Sequence, residues 1–223
     1  MSAAARPTHF PRLHPRQLQR LRSRLRSTIR ESGLTELSSD PHPSHTQGVF
    51  WELEPTPLVI DALEWSRLEA ALIQRARFTN AFLTDIYDRQ EVLTQRLLPP
   101  ELVLSDPYYR RPCLHLEPHR TTPAMLLRFD LLQTDAGWHI SETRANTPVG
   151  LGFAVQNRRF LSQEAGSLYG GLADYHSIIN FPLRLLDGLR SLAPQAGRAP
   201  SLVVLTAGPT DPFYAEHSFL ARK

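Results

Sequence analysis

Residues Arg128 to Pro148 read RFDLLQTDAGWHISETRANTP. Across Thr122–Gln133, Met125, Leu127 and Phe129 alternate against Leu126 and Arg128, the two-residue period of a β-strand. Asp135, Ala136 and Gly137 signal a tight hairpin turn, and Trp138–Thr143 is the return strand. Arg128 and Asp130 stand two residues apart, so they face the same side of the first strand. Glu142 ends the return strand. Paired strands run about 5 Å apart, so Asp130 and Glu142 can converge. With an amide oxygen from Asn146 they would make a hard-oxygen set suited to Mg²⁺. Arg128 and Arg144 could neutralise phosphates, whose oxygens match the guanidinium fork. A surface hairpin with scattered charges would carry the same pattern.

Working outward, Leu18, Leu21, Leu25 and Ile29 predict an amphipathic helix over Gln17–Glu31, after a mobile Ala-, Pro- and His-rich start. Ser32–Gln47, rich in Ser, Pro and His, reads as a linker. Residues 1–48 are therefore expected to be a basic, partly disordered arm and linker ahead of the main domain, 49–223. Pro55 and Pro57 favour an extended run over Phe50–Ile60. Asp61, with Glu64 three residues on, marks the start of a long helix to about Leu93. Its apolar face includes Leu68, Leu72, Phe78, Phe82 and Ile86, and Trp51, Trp65, Phe78 and Phe82 are expected in the core. A helical turn is expected at Pro100–Leu104, a turn at Asp106–Pro107, and helices over Phe153–Gln163 and Tyr175–Leu192. Ser201–Thr206, reading SLVVLT, is expected to be a buried strand, followed by a helix from Pro212. Such a strand, loop and helix open an α/β unit that needs further strands and a crossover. The chain is thus expected to be the front part of something larger.

Composition narrows the function classes. The chain has 223 residues, 41% of them hydrophobic and 21% charged, enough to bury a core. No apolar run reaches the roughly 18 to 20 residues of a membrane-spanning helix. One cysteine, Cys113, excludes an internal disulfide framework and is expected to be a small buried residue. With no apolar run of the signal-peptide kind at the N-terminus, these facts point to a reducing cytoplasmic setting. The net charge is +3, and the only lysine is Lys223. Eight arginines lie between Arg6 and Arg30, which could form a basic arm. Phe10 is the only aromatic residue among them, which argues against a single-strand nucleic-acid platform and for a solvated helix.

From about Trp51 to Lys223 the chain resembles the N-terminal part of the circularly permuted ATP-grasp type 2 family. The stretches that carry the resemblance are LEPTPLVIDALEWSRLEAALIQRARFTNAFLTDIYDRQ, LLPPELVLSDPYYRRPC, NTPVGLGFAVQNRRF and LVVLTAGPTDPFYAEHSFLAR. Residues Arg128–Pro148 are also similar to the RFD…E-x-N-A-D-TP stretch of glutathionylspermidine synthase-type ligases. The resemblance implies an α/β fold, a partial circularly permuted ATP-grasp domain with a helical N-terminal region. It implies an ATP-dependent ligase that joins a small-molecule or peptide carboxylate to an amine through an acylphosphate, with Mg²⁺ and ATP as cofactors. By position, Arg128 would contact phosphate or the acyl group, and Asp130 and Glu142 would bind Mg²⁺. Arg144 stands where the motif has Asn and becomes an auxiliary phosphate contact, with Asn146 as the substitute ligand. Asn157 and Arg158 match an E-N-R segment and would line the nucleotide site; a helix-surface pair is the equal alternative. Tyr214, Glu216 and His217 match a Y-F-E-H stretch, and adjacent Glu216 and His217 do not share a helix face. The Gly150 and Gly152 loop could aim backbone N–H groups at an anion, or simply start a helix. Lysines normally grip the nucleotide phosphates, and GxxxxGK[ST] is absent, so this chain alone is expected to be inactive, with a separate chain a candidate for supplying the rest. The rival is a truncated or split, non-catalytic protein with a binding role.

Overall fold

The computed structural model describes residues 13–37, 48–115, 123–146, 148–168, 175–193 and 200–222. In chain order the elements are α1 (Pro15–Ser32), β1 (Thr35–Leu37), β2 (Gly48–Phe50), α2 (Ala62–Tyr87), α3 (Glu91–Thr94), α4 (Pro100–Leu104), a 3₁₀ turn (Arg111–Cys113), β3 (Arg128–Thr134), β4 (Gly137–Arg144), α5 (Leu151–Ala165), α6 (Phe181–Ser191) and α7 (Tyr214–Ala221). Helices and small antiparallel sheets combine in a mixed α/β structure. The chain divides into two compact units, Met1–Asp61 with Val149–Lys223, and Ala62–Pro148.

The first unit is built on α1 and α5. Leu21, Leu25 and Ile29 recur every four residues, so one stripe of α1 is apolar and fully buried. It packs with Phe153, Phe160 and Ala165 of α5 and with Leu34. Pro15 starts α1, where its missing N–H costs nothing, and the Gln17 side chain accepts from the His14 N–H at 3.0 Å. Gly33 ends it at φ 69°, a conformation that disfavours other residues. Three of the six arginines of α1 are paired: Arg22 with Glu54 at 3.3 Å, Arg24 with Glu164 at 3.3 Å, and Arg26 with Glu52 at 3.2 Å. Much of the basic cluster is thus a solvated helix face engaged within its own unit. β1 pairs antiparallel with β2, placing a short strand inside the segment expected to be a linker. Three residues are too few to show a period, which is why the sequence hid it.

In the second unit, Leu68 and Ile86 of α2 are buried, with Leu93 and Ala124. Asn80 binds the backbone of Ala124 twice, accepting its N–H at 2.7 Å and donating to its carbonyl at 3.2 Å. The Asp85 carboxylate accepts the N–H groups of Glu91 and Val92, both at 2.9 Å, and so caps α3. The long predicted helix therefore breaks at Tyr87 and restarts at Glu91. Tyr87 stacks on Tyr109 at 5.1 Å, and its hydroxyl accepts the Arg110 N–H at 3.1 Å.

Several expectations are corrected. Ser201–Thr206 forms no strand; Val203 and Leu205 are 86% and 91% exposed. Strand propensity needs a neighbouring strand for its N–H and C=O groups, and no described residue pairs with this segment. Phe78 stacks on Phe82 at 6.4 Å but is 59% exposed, and Trp65 is also exposed, so neither is core. Cys113 is exposed rather than buried. The helix expected from Tyr175 starts at Phe181. The expectations for residues 1–12 and for most of the linker lie outside the described residues.

Candidate functional site

The β3–β4 hairpin arranges its charges by register. Arg128 pairs with Arg144, and Asp130 with Glu142. The pairing then slips: Leu131 faces Ile140, leaving Ser141 as an extra residue. Its hydroxyl donates to the Asp130 carbonyl at 3.0 Å. This bulge changes which face of β4 its even-numbered residues occupy. Trp138 and Ile140 share the face of Leu131 and Gln133, while Glu142 and Arg144 share the face of Arg128 and Asp130. Trp138 supports its face by donating its Nε1–H to Glu64 Oε1 of α2 at 2.7 Å. Four charged side chains are thereby gathered at one end of the opposite face.

Each strand pairs its own charges. Arg128 Nε and Nη2 donate to Asp130 Oδ1 and Oδ2 at 2.6 and 3.0 Å, a two-point fork. Arg144 Nη2 donates to Glu142 Oε2 at 3.0 Å, with Nε 2.8 Å from Oε1. The Arg128 hydrogen bond chiefly holds the Asp130 carboxyl below its ordinary 3.8, against desolvation, with the charges of Arg128 and Arg144 adding to it. Glu142 in turn raises the Arg144 pKa. All four side chains are partly exposed, between 30% and 47%. Asp130 and Glu142 are hard-oxygen donors on one face, which fits a divalent cation in kind. A cation would take over oxygens that now accept from arginine. Asn146 is exposed, two residues beyond β4. Among the described residues no three His, Cys, Asp or Glu side chains converge.

The other predicted residues lie in the first unit. Asn157 on α5 accepts the Trp51 Nε1–H at 2.8 Å, and Trp51 packs on Phe153 at 4.5 Å, tying the chain after β2 to α5. Arg158 is partly buried on the same helix. The Gly150–Gly152 loop does aim backbone N–H groups at an anion, and that anion is the protein's own Glu216. Its carboxylate accepts the Gly150 N–H at 2.9 Å to each oxygen and the Gly152 N–H at 2.7 Å. Glu216 is 2% exposed. Gly150 sits at φ 114°, and a Cβ on Gly152 would lie 2.8 Å from Glu216 Cγ, so both glycines are required. Beside it, the Asp211 carboxyl is held below 3.8, chiefly by the Phe213 N–H at 2.8 Å and further by the Ala207 N–H and the nearby His217. No local sequence signal marked Glu216 for this role, because its partners lie 64 and 66 residues away.

Residues 57–223 match the sequence model described as circularly permuted ATP-grasp type 2. The chain belongs to that family. An uncharacterized protein of Synechocystis sp. is 32% identical over 180 residues, covering 79% of this chain and 37% of the relative. One of Mycobacterium tuberculosis strain H37Rv is 32% identical over 209 residues, covering 91% of this chain and 23% of the relative. One of Mycobacterium leprae is 29% identical over 219 residues, covering 96% and 38%. The chain thus spans well under half the length of these relatives. Among the described residues no helix is long and apolar enough to cross a membrane.

Proposed function

We propose that this chain forms part of an ATP-dependent carboxylate–amine ligase, with the β3–β4 charge quartet on its phosphate side. The observation that carries this reading is the register pairing of Asp130 with Glu142, flanked on the same face by Arg128 and Arg144. In the reaction a carboxylate oxygen attacks the γ-phosphorus of ATP and ADP leaves. The amine nitrogen then attacks the acyl carbon, phosphate leaves, and the nitrogen gives up a proton. Asp130 and Glu142 would hold Mg²⁺, with Asn146 as a third oxygen. When bound, that ion offsets charge developing on the phosphates. Arg128 and Arg144 would release their carboxylates and turn to phosphate oxygens. Asn157 and Arg158 would line the nucleotide site.

The test is thermal unfolding with and without Mg-ATP, since a ligand bound only to the folded chain must raise its melting temperature. A rise in the parent chain that disappears in the Asp130→Asn, Glu142→Gln double variant is expected. An equal rise in both would overturn the assignment. A second reading, an ATP-grasp-like binding protein without catalysis, is favoured by the arginines that already balance both carboxylates. It predicts the same Mg-ATP stabilisation with no ADP released in the presence of acid and amine.

A further inference from the structure

The first unit contains a cavity of about 410 Å³ among α1, α5 and α7, within the usual size range of small-molecule sites. Gln156 stands in its wall, 8% exposed, and its Oε1 has no hydrogen-bond partner among the described residues. Buried side-chain oxygens are rarely left this way. Arg159 and Arg222 are in the same wall, and neither is ion-paired among the described residues. Glu31 is the wall's one carboxylate, and Phe160 and Phe219 supply apolar surface. The wall therefore offers two guanidiniums, one carboxylate and one acceptor lacking a donor.

We infer that this cavity binds a small zwitterion, an amino acid or dipeptide. Its carboxylate is held by Arg159 and Arg222, and its ammonium donates to Glu31 and to the Gln156 amide oxygen. The charges select this class. An inorganic anion would satisfy the arginines but face Glu31 and leave Gln156 without a donor. A simple amine would face two guanidiniums. Gln156 Oε1 is itself buried from solvent. Reaching the ligand requires a rotation about the terminal amide torsion, which is soft. This site is distinct from the β3–β4 quartet and does not depend on the ligase reading.

Calorimetric titration of the chain with glycylglycine tests it, alongside N-acetylglycylglycine, glycylglycine amide and inorganic phosphate. Saturable binding of glycylglycine is expected, with each blocked dipeptide at least about tenfold weaker because one charge-assisted contact is lost. Arg159→Gln and Arg222→Gln, both at exposed positions, should weaken binding by about tenfold each and leave the melting temperature unchanged. Gln156→Met should weaken binding while raising the melting temperature of the ligand-free chain, because it removes an unsatisfied oxygen at nearly constant volume. Three outcomes would overturn the proposal: no saturable binding of glycylglycine, phosphate binding as tightly, or a Gln156→Met chain that is less stable with affinity unchanged.

Discussion

Glu216 in the first unit and the Asp130–Glu142 pair in the second show two ways of holding a carboxylate. Glu216 is buried and bound by backbone N–H groups of Gly150 and Gly152, which cannot turn away without unwinding the start of α5. Asp130 and Glu142 are partly exposed and bound by the side chains of Arg128 and Arg144, which can. The first arrangement is committed to structure. The second can exchange partners at small cost, because exposed ion pairs contribute little net stability. The Gly150–Gly152 loop is committed to architecture, and under the proposed ligase reading the hairpin would carry the chemistry.

The sharpest break of this contrast is removal of the buried carboxylate. Glu216→Ala leaves the Gly150 and Gly152 N–H groups without an acceptor and should cost about 3 kcal/mol in urea unfolding. If stability is unchanged, the buried carboxylate is not structural. Gly152→Ala probes the same contact from the other side. With a Cβ 2.8 Å from Glu216 Cγ, a loss of about 2 kcal/mol is expected, measured in the same way. At the hairpin, Glu142→Gln should change stability much less than either and yet abolish any stabilisation by Mg-ATP, read by thermal unfolding. Raising NaCl should weaken the hairpin ion pairs and leave the Glu216 contacts intact, because salt screens exposed charges far more than buried ones. Amide hydrogen exchange can follow both sites at once.

The smallest expected effect is on pH dependence. The folded-state pKa of Asp130 lies below 3.8, so its contribution is present above that value and is lost as pH falls through the lowered one. Asp130→Asn should lower stability slightly near neutrality, where the pairing contributes, and remove that component of acid sensitivity below about pH 4. An acid unfolding curve identical to the parent's would show that the Arg128 pairing is not maintained in solution.

Much of the hairpin was legible in its sequence. The alternation through Phe129 and the Asp135–Gly137 turn located both strands, and the two-residue spacing put Arg128 beside Asp130. The bulge at Ser141 was not legible. Strict alternation would have placed Trp138 and Ile140 on the charged face, and only the slip between Asp130 and Leu131 separates them. Ser201–Thr206 shows the opposite failure. Its composition favours a strand, but a strand exists only where a neighbour satisfies its backbone, and local sequence does not supply one.

By itself the sequence determined the features that repeat over a few residues. These are the buried stripe Leu21, Leu25 and Ile29 of α1, the position of α5, the hairpin and its charge pairing, and the stretches that mark the family. Their physics is local, set by the periods of helix and strand and by the conformational range of turn residues. Tertiary structure alone decided that Glu216 seals the loop before α5, that three arginines of α1 meet Glu52, Glu54 and Glu164, and that Gln156 faces no partner in the wall of a cavity. These depend on groups brought together from distant parts of the chain, where burial sets the cost of every unpaired charge and hydrogen bond.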